Sequence, residues 1–413
     1  MNVELINIGN ELLLGLVTNT HASYLGQKLA ELGFLLERQV SVGDDAEQIA
    51  GAIREAIDRA DLIITTGGLG PTSDDMTASV IGKFFNLRFR IDEKVRKANE
   101  EWFRRRGAPM PELVKHQALV PEGSIVLLNQ NGTAPGFILP VPGGKQARWL
   151  AVLPGPPREL KPMFEKDLAA FLRNQFPDRT PIHWRVLRVA EVGESVVQER
   201  VEKKLKKEFP EIQVAYSARP GEVDLRLLGP EETLERAEAA AKQILGHDVF
   251  GGGDAELEQA VISLLRDRKK TAACAESCTG GALANRFTNV SGSSEVFLGG
   301  WIAYSDEFKK RELGVRAEII ESHGAVSEPT AREMAEGARR RSGADYALSM
   351  TGIAGPDGGT AEKPVGTVFI ALASGEGVQV WREFFPLDRW TFKWRAAQAA
   401  LNRLRLALLA HHE

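Results

Sequence analysis

The chain has 413 residues, 43% of them hydrophobic, which is enough for two to three domains with a buried core in each and excludes a disordered chain. Lys and Arg (52) nearly balance Asp and Glu (56), and the formal charge of −4 excludes the strongly basic footprint of a dedicated nucleic-acid binder while leaving local sites for small anions open. No apolar run approaches the roughly 20 residues needed to cross a bilayer, and residues 1–9 hold Glu4 but no Lys or Arg, unlike a signal-peptide n-region, so a cytoplasmic protein without a membrane partner is expected.

In chain order, strand-like and helix-like runs alternate: strand 3–8, helix 21–32, strand 35–42, helix 46–59, strand 62–66 and helix 73–85. That βαβαβα order predicts a parallel sheet covered by helices. A basic helix over 93–106 follows, then further strands ending at 149–153, and a helix restarts at Pro157, which suits a first helical turn. Residues 1–174 make up this first α/β domain.

Between 175 and 250 the order becomes strand 184–192, helix 195–208, strand 212–217, strand 222–228 and helix 231–245, a small α+β domain whose Lys- and Glu-rich helices carry no chemical constellation. It reads as a spacer or dimerisation module. Gly251, Gly252 and Gly253 then suggest a flexible joint, with Asp254 capping the next helix. A chain starting near Gly253 is therefore expected to fold and act alone. The third domain, 254–413, reads as helix 256–268, strand 271–275, a helix from 279, strands 346–350, 367–373 and 378–385, and a final amphipathic helix 391–409.

Cys274 and Cys278 are the only cysteines, and their spacing suits neither a disulfide framework nor a four-ligand zinc site. The seven histidines are scattered, with only His411 and His412 adjacent, so any metal is expected on oxygen ligands.

Chemistry concentrates in Ala275-Glu276-Ser277-Cys278-Thr279-Gly280-Gly281, at a strand end before a helix. A serine there projects from a tight turn, and the N–H groups of the small residues after it suit an oxyanion hole. Ser277 and Thr279 equally suit plain helix capping. A base is needed, and Lys309, five residues after Tyr304, serves if burial lowers its pKa; alone, each would read as surface or packing. Thr351-Gly352-Ile353-Ala354-Gly355-Pro356 begins a stretch whose glycines can wrap an anion with backbone N–H groups, though it lacks a P-loop ending; the alternative is a surface turn.

In the first domain, Thr66 to Gly70 turns out of a central strand at its carboxyl end, where open α/β sheets bind ligands. Asp74 and Asp75 follow and can hold a hard cation that in turn holds a diphosphate; the alternative is that one of them caps the helix starting at Met76.

Together these motifs resemble the bacterial CinA family. Glu276 to Gly281, Tyr304 with Lys309, and Thr351 to Pro356 with Lys363-Pro364-Val365-Gly366-Thr367 are similar to its C-terminal domain, the PncC-type nicotinamide mononucleotide (NMN) amidohydrolase. The resemblance implies a catalytic set of Ser277, Tyr304 and Lys309, an oxyanion and substrate region at Thr279, Gly280, Thr351, Gly352 and Gly355, and a phosphate contact from Arg389, with Lys393 one turn on. No cofactor is implied for deamidation.

Gly9 to Gly15, Asn19-Thr20 and Thr65 to Asp75 resemble the molybdopterin-binding fold of MoaB and MogA proteins, which implies a three-layer domain with a pocket at Gly67, Gly68, Gly70, Asp44, Asp74 and Asp75. Residues 131–136 and 154–157 are expected in the same pocket, and His21 is given no role. Similar proteins imply ADP-ribose pyrophosphatase activity with a divalent metal on Asp75 and Asp74. The central domain resembles a KH-type fold, yet it has no Gly-x-x-Gly loop, so no nucleic-acid partner is expected. A homodimer is implied for the whole chain. The alternatives are a competence or recombination accessory acting through protein contacts, and a pterin- or nucleotide-binding protein.

Overall fold

The computed structural model describes residues 2–72, 74–142 and 148–410; Ser73 and the His411–His412 pair lie outside the described residues. The chain divides into two compact units, Met1–His183 and Trp184–Glu413. Among the described residues no helix is long and apolar enough to cross a membrane.

The first unit runs β1 (Val3–Ile8), α1 (Asn10–Leu13), α2 (Thr20–Glu31), β2 (Leu36–Val42), α3 (Ala46–Ile57), β3 (Leu62–Thr66), α4 (Thr77–Phe84), β4 (Phe89–Ile91), α5 (Glu93–Arg104), α6 (Glu112–His116), β5 (Leu119–Pro121), β6 (Ile125–Leu127), β7 (Gly136–Val141), β8 (Arg148–Leu153), α7 (Pro157–Met163) and α8 (Ala169–Gln175). Its six-stranded sheet has the order β2-β1-β3-β8-β7-β6, parallel from β2 to β8 and antiparallel beyond. Side chains alternate between two cores, as they must in a strand buried on both faces. Leu62 and Ile64 pack with Leu25, Leu29 and Leu160 on one side, and Ile63 packs with Ile49, Ile53 and Ile81 on the other. This is a three-layer domain.

One predicted helix starts late. The segment expected to be helical from residue 73 enters α4 only at Thr77, because Asp75 N–H bonds to Thr72 O at 3.1 Å and keeps the preceding residues in a turn. Met76 is the N-cap and accepts no side-chain bond, so neither Asp74 nor Asp75 caps this helix.

The second unit takes up β9 (His183–Ala190) from its second residue and continues with α9 (Glu194–Glu208), β10 (Gln213–Arg219), β11 (Glu222–Gly229), α10 (Glu231–Leu245) and β12 (Val249–Gly252). It continues with α11 (Leu257–Asp267), β13 (Ala272–Glu276), α12 (Ala282–Thr288), β14 (Phe297–Ile302), α13 (Asp306–Leu313), α14 (Ala317–His323), α15 (Glu328–Ser342), β15 (Tyr346–Gly352), β16 (Thr367–Ser374), β17 (Gly377–Phe384) and α16 (Arg389–Ala410). The smaller sheet has the order β10-β11-β9-β12 and the larger β14-β13-β15-β16-β17.

The glycine joint expected at residues 251–253 is not a joint. Gly251 and Gly252 belong to β12, antiparallel to β9, and the Arg188 guanidinium holds Gly253 O at 3.0 Å and Glu256 at 3.1 Å. Glu256, not Asp254, caps α11, through a reciprocal capping box with Gln259. Further along, α16 reaches back to the smaller sheet. Arg395 pairs with Glu191 through both carboxylate oxygens, and Gln398 Nε2 donates to Glu222 at 2.5 Å. Phe250 packs into the same core as Leu257, Leu401 and Leu404. The two sheets of this unit share buried structure.

Candidate active site

Three parallel strands of the larger sheet end side by side. Glu276 is in register with Ile302 of β14 and with Met350 of β15, so the residues after β13, β14 and β15 leave the sheet together at its carboxyl edge. Two backbone bonds fix this, Ser277 N–H to Met350 O at 3.0 Å and Ala303 N–H to Glu276 O at 2.7 Å. Ser277, Tyr304 and Thr351, far apart in sequence, are thereby adjacent in the fold, at the edge where such sheets bind ligands.

Ser277 is 8% exposed. Among the described residues its hydroxyl makes no hydrogen bond, and no backbone carbonyl receives the N–H of Cys278 or Thr279. Gly280 N–H, by contrast, is used inside the turn, donating to Ser277 O at 3.2 Å. The backbone N–H groups without a carbonyl acceptor among the described residues are therefore those of Cys278 and Thr279, one residue earlier than the sequence suggested. Neither Ser277 nor Thr279 caps α12, whose N-cap is Gly281 with φ of +96°. The Glu276 carboxylate takes that role from the strand side, accepting from Gly281 N–H at 2.9 Å, Leu283 N–H at 3.1 Å and Ala284 N–H at 2.8 Å. A fully buried carboxylate is tolerable there because the helix N-terminus supplies donors and positive potential.

Lys309 lies in the first turn of α13, which Ser305 caps, and is 1% exposed. Its amine donates to Tyr304 O at 3.1 Å and lies 3.7 Å from Asp306. Burial lowers its pKa, against the opposing pull of Asp306 and Cys278. Burial pushes the Cys278 thiol up to about 12, with Glu276 raising it further and the positive charges of Lys309 and Arg389 opposing this. The thiol therefore stays protonated at neutral pH.

Arg389, at the start of α16, donates to Gly355 O at 2.8 Å and to Tyr304 Oη at 3.2 Å. One turn later, Lys393 Nζ lies 3.5 Å from where a Cβ on Gly280 would stand. Thr351 is buried and spends its hydroxyl on Ala325 O at 2.7 Å, so it anchors the glycine-rich loop and does not project into the open. Gly352 and Gly355 are required by close packing: a Cβ would meet Thr367 O at 2.7 Å and Val365 Cγ1 at 2.5 Å, respectively. The Thr279 hydroxyl is buried and has no partner among the described residues. Glu276 was missed by sequence reasoning as a functional support.

In the first unit a cavity of about 730 Å³ is lined by Gly67, Gly68, Gly70, Asp44, Asp74 and Asp75, together with residues 132–134 and 154–159. Gly67 has φ of +102°, and a Cβ there would stand 2.2 Å from Ile8 O, so only glycine makes this turn. Two of the carboxylates accept backbone bonds, Asp75 from its own loop and Asp44 from the start of α1. Asp75 Oδ2 accepts from Thr72 N–H at 3.1 Å, and Asp44 Oδ2 accepts from Asn10 N–H at 2.9 Å. His21, given no role from the sequence, also lines the cavity, as do Glu11, Trp102 and Phe103.

Among the described residues no three His, Cys, Asp or Glu side chains converge as a metal cage. Asp74 and Asp75, both lining the cavity, fit the sparser arrangement in which one or two carboxylates and a ligand's phosphates share a hydrated Mg²⁺-like ion.

Residues 254–408 match the CinA C-terminal domain, residues 4–174 the probable molybdopterin binding domain, and residues 184–251 the damage-inducible protein CinA KH domain. A CinA-like protein of Gemmatimonas aurantiaca is 44% identical, covering 98% of this chain and 96% of its own. Another, of Akkermansia muciniphila, is 45% identical, covering 98% and 97%. A crystal structure of a CinA superfamily protein from Klebsiella pneumoniae is 34% identical, covers 37% of this chain and 96% of that chain, and has a TM-score of 0.37.

Proposed function

The chain belongs to the CinA family, and from that premise we propose that its second unit is a nicotinamide-nucleotide amidohydrolase, converting NMN and water to nicotinic acid mononucleotide and ammonia. The observation that carries this reading is the buried amine of Lys309, which donates to Tyr304 O at 3.1 Å next to the Ala303–Glu276 bond that joins this segment to the Ser277 strand, and whose pKa burial lowers. A lysine in that condition is a base able to take the proton of a serine hydroxyl.

In this mechanism Ser277 Oγ attacks the carboxamide carbon while its proton passes to Lys309. The Cys278 and Thr279 N–H groups receive the developing oxyanion, a contribution of about 10² to 10³ in rate per donor. Collapse expels ammonia, which takes up the proton, and water hydrolyses the ester to restore Ser277. Tyr304 and Arg389 orient the nucleotide, and Arg389 with Lys393 supplies positive charge for its phosphate. No cofactor takes part. Replacing Lys309 by Met, which keeps length and removes the amine, should abolish ammonia release; a defect confined to KM would make Lys309 a substrate binder instead.

The cavity of the first unit favours a second activity, metal-dependent hydrolysis of ADP-ribose, with Asp75 and Asp74 holding the divalent ion and the Gly67–Gly70 turn facing the diphosphate. The ion would neutralise phosphate charge and polarise the attacked phosphorus. Asp75→Asn should lower ADP-ribose turnover by orders of magnitude without altering NMN deamidation, and a chelator should abolish that turnover reversibly; chelator-resistant hydrolysis would refute the metal. A homodimer completes the proposal: edge strand β14 exposes Leu298 and Ile302 for a second copy, and sedimentation as a monomer would contradict it.

A further inference from the structure

The cavity of the first unit has an aromatic wall that the glycine turn and the carboxylates do not explain. Trp102 and Phe103, near the end of α5, line it, and α5 belongs to the insertion between β4 and β5. The Arg106 guanidinium lies 3.4 Å from the centroid of the Trp102 ring, anchored by a bond to Trp102 O at 3.3 Å. A cation packed that closely fixes the indole plane and occupies one of its faces. Gln117, from the same insertion and 9% exposed, also lines the cavity. Its Nε2 donates to Leu69 O at 3.1 Å, which ties this insertion to the loop after β3.

We propose that Trp102 is a stacking platform for the aromatic base of a nucleoside-phosphate ligand, with the phosphates toward the Gly67–Gly70 turn and Asp75. This rests on the second activity for the choice of ligand class, but it is a statement about binding and does not need hydrolysis to occur. A cavity of about 730 Å³ has room for a base, a sugar and a diphosphate, within the usual range of roughly 300–1,000 Å³ for small-molecule sites. The stack on Trp102 separates nucleotides from bare sugar phosphates, which have no ring to place there.

The test is calorimetric titration of the full chain with AMP and with ribose 5-phosphate, which differ only by the base, using wild type, Trp102→Ala and Trp102→Phe. Any AMP bound by the second unit contributes equally to all three chains. The expected result is AMP binding to wild type more tightly than ribose 5-phosphate, weakened about tenfold or more in Trp102→Ala, kept in Trp102→Phe, with ribose 5-phosphate indifferent to both changes. Equal affinity for the two ligands in wild type, or AMP affinity unchanged in Trp102→Ala, overturns the platform. AMP binding that depends on Trp102 in a chain that does not hydrolyse ADP-ribose upholds the platform and sinks the pyrophosphatase reading alone.

Discussion

Arg389 and Tyr304 are joined by a hydrogen bond of 3.2 Å from the guanidinium to the phenol oxygen, although 85 positions separate them. The same guanidinium holds Gly355 O at 2.8 Å. The first turn of α16, the end of β14 and the glycine-rich loop thus meet at one cation. A phosphate arriving at this exposed corner gains a bond between two opposite charges at the expense of one to a neutral acceptor.

Replacing Arg389 by Ala should therefore raise KM for NMN by about tenfold or more while leaving kcat within a few-fold, since bonds to charged groups contribute about 1.5–3 kcal/mol. Steady-state kinetics decide the point. A fall in kcat with KM unchanged would assign Arg389 to the chemical step.

Lys309 sets the pH dependence. Its pKa is lowered by burial, so the neutral base form accumulates as pH rises through a value below that of an ordinary lysine, about 10.4. The kcat/KM for deamidation should rise with pH along a single limb and level off before that value. A profile that keeps rising past it would place the titrating group elsewhere.

The Cys278 thiol, pushed up to about 12 by burial, stays protonated at neutral pH. Cys278→Ala should retain deamidase activity within a few-fold, and brief treatment with iodoacetamide should leave the wild type active. Rapid inactivation by the reagent, protected by NMN, would promote the cysteine to nucleophile.

Much of this site was legible from the sequence because its parts are short motifs at the ends of apolar strands. Ser277 comes straight after β13, Tyr304 two residues after β14, and Thr351 is the penultimate residue of β15, and parallel pairing does the rest. What the sequence concealed depended on tertiary partners. Glu276 looks like the last residue of a strand, and only the fold turns its carboxylate onto N–H groups five to eight positions ahead. Gly251 and Gly252 look like a hinge because glycine disfavours strands, yet pairing with β9 overrides that preference. Trp102 and Gln117 gave no signal at all, since the two meet only around a cavity.

The Glu276 cap should be costly to remove. Glu276→Ala strands three N–H groups at a buried helix start and should lower unfolding free energy by at least about 3 kcal/mol in urea titration, with Glu276→Gln losing less. Equal loss in both variants would show that charge, and not hydrogen-bond acceptance, is what the helix requires.

The shared structure of the second unit revises the expectation that a chain starting near Gly253 stands alone. Residues 184–413 should unfold in one transition, and a fragment of residues 254–413, with Arg395 and Gln398 stripped of Glu191 and Glu222, should melt at a lower temperature. Identical melting of the two fragments would restore the glycine boundary as a true joint.

The central claim is that Ser277 attacks the carboxamide of NMN. It is tested most directly by following ammonia and nicotinic acid mononucleotide together, with the purified wild-type chain beside Ser277→Ala. The account requires equal amounts of both products from the wild type and no more than a trace from the variant, whose small-for-small replacement leaves the turn at Met350 O intact. Ammonia release by Ser277→Ala at a rate near that of the wild type, or none from the wild type itself, would contradict it.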